Sequence, residues 1–107
     1  MEGRVPLAVK VDADFRQLID ETAARMGMPL HRLVSSMLQW GFYHEWRRQQ
    51  ELLRSYKAIE PKSPEDERWF RLKAAEANKI IQDLQPLAEY HAKKFRETVG
   101  LDIEEVI

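Results

Sequence analysis

The 107-residue chain has no cysteine, which excludes disulfides, thiol nucleophiles and thiolate metal sites and fits a reducing cytoplasm. Its four glycines are scattered, so no glycine-rich loop can cradle a phosphate. The three histidines, His31, His44 and His91, have no second histidine or carboxylate three or four residues away, so no metal site and no cofactor is expected. No apolar run is long enough to span a bilayer, and Met1-Glu2-Gly3-Arg4-Val5-Pro6 lacks the apolar stretch of a signal peptide. The expectation is a cytoplasmic protein with no membrane partner. Charge of one sign is also missing: 17 Lys and Arg stand against 18 Asp and Glu, a formal charge of −1, which is not the bulk charge that favours a phosphate-rich partner. The distribution is uneven, with 9 basic against 7 acidic residues through Lys57 and 8 against 11 after it, so +2 and −3 make the −1. A nucleophile beside a base, or paired carboxylates in a pocket, is likewise absent. Glu65-Asp66-Glu67 reads better as the acidic first turn of a helix, and the chain is expected not to be an enzyme.

What is present is a pattern of apolar periodicities. Val5, Leu7, Val9 and Val11 alternate with Arg4, Pro6, Ala8 and Lys10, and this period of two predicts a strand with the first set on one face. A lone strand cannot satisfy its own backbone, so its economical partner is the same strand of a second copy. Asp12 or Asp14 can cap a helix carrying Phe15, Leu18, Ile19, Thr22, Ala23 and Met26 at helical spacing, and Gly27 stops it. Met28-Pro29 restarts the chain. Leu30, Leu33, Val34, Met37, Leu38 and Gly41 trace a second stripe, which continues through Phe42, Trp46, Gln49, Leu53 and Tyr56. Trp40, Tyr43 and Trp46 form a patch expected to pack on the C-terminal part of the chain.

Glu60-Pro61-Lys62-Ser63-Pro64 is a breaker, and Ser63-Pro64-Glu65-Asp66 has the form of a capped helix start. The third helix carries Phe70, Ala74, Ala77, Ile81, Leu84, Ala88, His91 and Phe95 at the alternating four-and-three spacing of a heptad seam, expected to serve assembly, with Gly100 as its stop. Pro86 is expected to kink or divide it. The domain reading is 1–57 as an N-terminal domain with an extended second helix, 58–64 as a linker and 65–107 as a C-terminal helical assembly region.

The order of strand, Asp12, helix, Gly27 and then Leu33-Val34-Ser35-Ser36-Met37-Leu38-Gln39-Trp40-Gly41-Phe42 resembles the ribbon-helix-helix repressors, over roughly residues 4 to 46. The resemblance implies a mainly α fold: an intertwined homodimer with one N-terminal strand per chain, here with a C-terminal helical extension. The family's ribbon enters the major groove of double-stranded DNA. Carried across, the dimer core would comprise Leu7, Val9, Val11, Leu18, Leu33, Val34, Met37 and Leu38. Base reading would fall to Lys10, Ala8 and Pro6, with Arg4 at the ribbon's end. Of the three outward positions only Lys10 can donate a hydrogen bond, and Ala8 can at most touch a thymine methyl. Backbone amides at Leu30, with His31 and Arg32, would face phosphate, although Pro29 stands where the family often has a hydroxyl residue.

The function expected from these readings is a DNA-binding transcriptional regulator, repressor-like, that binds paired half-sites as a homodimer, with the C-terminal region stabilising the dimer or joining dimers. Two alternatives remain open: an antitoxin whose residues 58 to 107 bind a toxin protein, and an assembly module that does not read DNA.

Overall fold

Turn chemistry sets where each helix starts and stops. A computed structural model describes residues 3–106 of the chain. Helix α1 runs Ala13–Met26, α2 Leu30–Ala58 and α3 Pro64–Val99, followed by a 3-10 turn at Ile103–Glu105. The chain divides into two compact units, one up to Ser35 and one from Ser36 onward, so the boundary falls inside α2.

In the first unit, Asp12 takes the extended backbone of an N-cap, and its carbonyl accepts from the Arg16 amide at 2.9 Å. Gly27 ends α1 at φ +66°, a left-handed conformation that costs a glycine nothing. The Gly27 and Met28 amides donate back to the Ala24 and Ala23 carbonyls at 3.1 and 3.0 Å, closing a Schellman motif. Among the described residues of this unit only Ala23 and Leu33 are buried.

The ribbon-helix-helix fold expected from the sequence is not the fold of this chain. No strand exists among the described residues; three long helices take its place. Residues 3–12 carry no regular secondary structure, and their alternating apolar side chains are open to solvent, from 85% exposed at Val5 to 45% at Val11. The physical reason is pairing. A period of two records which side chains are apolar, but a strand forms only where a second strand takes up its hydrogen bonds, and none of the described residues offers one.

The second unit is an antiparallel helical hairpin. Its turn is opened by Ser63, whose Oγ accepts from the Asp66 amide at 3.1 Å, with Pro64 in the first turn and Glu65, Asp66 and Glu67 at the positive helix end. Contacts step down the two helices in opposite senses: Tyr56 meets Trp69, Trp46 meets Gln85, Gln39 meets His91 and Trp40 meets Phe95. Pro86 does not divide α3, which is continuous over 36 residues. It deprives one carbonyl of its donor, and the packed residues on either side, Leu84 and Ala88, keep the helix running. Gly100, at φ +83°, caps α3 by donating to the Arg96 carbonyl at 2.8 Å, and Asp102 then caps the 3-10 turn. That turn folds Ile103 into a core shared with Tyr43 and Ala88, flanked by Trp40, Trp46, Ala92 and Phe95.

Candidate functional site

The residues assigned to base reading from the resemblance, Arg4, Pro6, Ala8 and Lys10, are all exposed on the extended N-terminal segment. Between Gly3 and Val11 this segment carries two cations and no acid. Leu30, His31 and Arg32 open α2, where the first backbone amides of a helix have no intrahelical acceptor. Arg32 and Leu33 donate to the Pro29 carbonyl at 3.1 and 3.2 Å, and the side chains of His31 and Arg32 are exposed.

The residues assigned to a dimer core are not gathered into one within the chain. Leu33 is buried and Val34 half-buried, whereas Leu7, Val9, Val11, Leu18, Met37 and Leu38 are exposed, as are Phe15 and Met26 on α1. By contrast the assembly residues of α3 lie on one seam: Ala77 and Ala88 are buried, and Phe70, Ala74, Ile81, Leu84 and Phe95 are half-buried. Their cover is α2 of the same chain.

The densest chemistry lies where α2, α3 and the 3-10 turn meet. Tyr43 donates its hydroxyl to Glu104 Oε1, and Arg47 donates to Glu104 Oε2, so one carboxylate ties the turn to α2 by both oxygens. The Tyr43 hydroxyl is raised above its ordinary pKa by burial first and by the Glu104 carboxylate second. Hydrogen bonds from Tyr43 and then Arg47 hold Glu104 below the usual carboxylate range. Between Tyr43 and Arg47 on α2, Glu45 is held to about 2 by hydrogen bonds from Arg48 and Gln49. These are acceptors already committed to donors in the fold.

His91 is the one buried histidine. Its ring lies edge-on to Trp40 with centroids 4.3 Å apart, and its Nδ1 is 3.4 Å from Gln39 Oε1. Its buried Nε2 has no hydrogen-bond partner among the described residues. Burial, and then the charge of His44, lowers its pKa. The sequence marked His91 as a seam residue. Nothing in local spacing pointed to Glu104, because its two donors lie 61 and 57 residues away.

Among the described residues no group of three His, Asp or Glu is placed to hold a metal ion, and no helix is long and apolar enough to cross a membrane. Comparison with protein-family models, with curated proteins and with solved structures finds no match to this chain.

Proposed function

We propose that this chain is a DNA-binding regulatory protein that works as a homodimer joined through its N-terminal unit. The single observation that carries the reading is the row of exposed apolar side chains on residues 5–11 and α1. Val5, Leu7, Val9, Val11, Phe15, Leu18 and Met26 all face solvent in a unit whose buried residues are Ala23 and Leu33. Each such side chain contributes about 1.5–3 kcal/mol when fully buried, so covering all seven yields an energy of the same order as the about 4–15 kcal/mol that association costs. A second copy supplies the same row, and a two-fold contact lets each row cover the other.

DNA binding is supported by the exposed basic side chains of the same unit. Arg4 and Lys10 are exposed on an acid-free segment, His31 and Arg32 are exposed at a helix start, and a two-fold axis doubles all four. This reading needs no strand pairing, since cations on an extended segment can meet phosphates along a groove. The assembly-module reading has its own support in the net charge of −1 and in Pro6 and Ala8, neither of which can donate a hydrogen bond from its side chain. One experiment decides between them: binding of the full chain to a random duplex at low salt, measured by fluorescence anisotropy, with mass from light scattering on the same samples. The regulator reading expects a dimer whose DNA affinity falls steeply with salt. A dimer that leaves the duplex free makes the chain an assembly module, and a monomer at all concentrations overturns both.

A further inference from the structure

The seam that α3 turns toward α2 is not its only apolar stripe. Trp69, Ile80, Leu87 and Tyr90 are exposed on a flank set roughly a quarter turn round the helix from that seam, at about 100° per residue. This is where a helix in a four-helix bundle meets its second neighbour. In an antiparallel hairpin the matching flank of α2, carrying exposed Leu38 and Phe42, falls on the same side.

The charges on this flank follow a pattern. Trp69-x3-Lys73-x2-Glu76 recurs as Tyr90-x3-Lys94-x2-Glu97, an aromatic, a cation and an acid repeated three heptads apart. In each triple the ammonium lies over the aromatic ring, at 5.7 Å for Lys73 on Trp69 and 5.8 Å for Lys94 on Tyr90. In each, it also pairs with the acid, at 3.3 Å for Lys73–Glu76 and 3.9 Å for Lys94–Glu97.

We infer that this flank is a self-association surface on which α3 of a second copy packs antiparallel, centred on residue 85. Against a second α3 so placed, Lys73 meets Glu97, Glu76 meets Lys94, Ile80 meets Tyr90 and Asp83, already paired with Lys79, meets Leu87. All four end charges find opposite partners, each twice by symmetry. Sliding one heptad either way undoes both end pairings, Lys73 with Glu97 and Glu76 with Lys94. A parallel pairing in register stacks Lys73 on Lys73 and Glu76 on Glu76, so charge selects both direction and register. The surface lies within the second unit and does not depend on the N-terminal contact or on DNA.

The test reverses one triple at a time in the full chain. The double variant Lys73→Glu with Glu76→Lys keeps its pair within the helix but opposes Lys94 and Glu97 of the second copy, and Lys94→Glu with Glu97→Lys does the converse. Each double variant alone should associate through this surface roughly tenfold or more weakly than the wild type, by sedimentation velocity, with unchanged helical circular dichroism. Mixing the two double variants restores every opposite pairing and should recover wild-type association. Since the chain has no cysteine, a mixture of Ile80→Cys and Tyr90→Cys single variants should also form a mixed disulfide on mild oxidation, and Ile80→Cys alone should not.

If the double variants associate like the wild type, or if their mixture recovers nothing, the inference is wrong. The N-terminal dimer is read separately by Leu7→Asp with Val9→Asp. Loss of an association step with those changes but not with the reversals would leave the N-terminal reading standing and overturn this one.

Discussion

Replacing Ile103 by alanine tests whether the C-terminal turn belongs to the core. Ile103 is 2% exposed and sits against Tyr43 and Ala88, although it lies only a few residues from the end of the chain. The substitution removes three side-chain carbons at about 0.8 kcal/mol each, about 2.4 kcal/mol before any cavity is counted. Isoleucine-to-alanine changes in closed cores cost about 2–5 kcal/mol, and a short 3-10 turn can relax into the space, which places the expectation at about 2–3 kcal/mol. At roughly 4 °C per kcal/mol for a chain of this size, the thermal midpoint should drop by roughly 8–12 °C at fixed protein concentration. Urea unfolding followed by tryptophan fluorescence and by circular dichroism should show the same shift, because Trp40 and Trp46 flank the residue removed. Val106→Ala is the matched control: half exposed, it should cost no more than about 0.5 kcal/mol. A loss as small as the control's at Ile103 would mean that the turn is not packed on α2, and the account of Glu104 as its tie would fall with it.

Three further outcomes follow from other parts of the chain. Ser63→Ala removes the acceptor for the Asp66 amide and should cost about 1 kcal/mol in urea midpoint, whereas Ser63→Asp should retain most of it. His91, faced by Gln39, Trp40, Tyr43 and His44 of α2, has its pKa lowered by burial below 6.5, so the unfolded chain binds the proton more tightly. Its contribution is whole above pH 6.5 and is lost as the pH falls toward the folded value, by at most about 1.4 kcal/mol per pH unit, and His91→Gln should remove that slope. If DNA binding holds, Lys10→Ala should cost about 1–3 kcal/mol per lost base contact and flatten sequence preference, while Arg32→Ala should weaken binding to all duplexes and make the salt dependence shallower. Titration of cognate and scrambled duplexes at several salt concentrations separates the two.

Punctuation was the most legible part of the sequence. Gly27, Ser63-Pro64 and Gly100 act through local backbone chemistry, and each marks a helix end in the structure. The heptad seam from Phe70 to Phe95 was equally readable, because a continuous helix turns spacing into a face. Three features were not. Val5 to Val11 carries a strand's periodicity without a strand's partner, so alternation alone misled about the fold. Pro86 was expected to kink or divide α3, and it does not divide it, because a single lost hydrogen bond does not interrupt a helix packed on both sides of the proline. The Tyr43–Glu104–Arg47 tie joins residues about sixty positions apart and leaves no trace in any local pattern.

The placement of the three tryptophans gives the molecule its own set of optical probes. Trp40 touches the imidazole of His91, Trp46 donates its indole N–H to Gln85 at 2.9 Å, and Trp69 sits half exposed near the other end of α3. An imidazolium quenches a neighbouring indole where a neutral ring does so far less. With His44, which stacks on the same ring at 5.5 Å, replaced by glutamine, the emission of Trp40 follows the proton on His91, while that of Trp46 follows the closure of the hairpin and that of Trp69 follows whatever covers the outer flank. Single-tryptophan variants would let three separate events be read as light from one unlabelled chain.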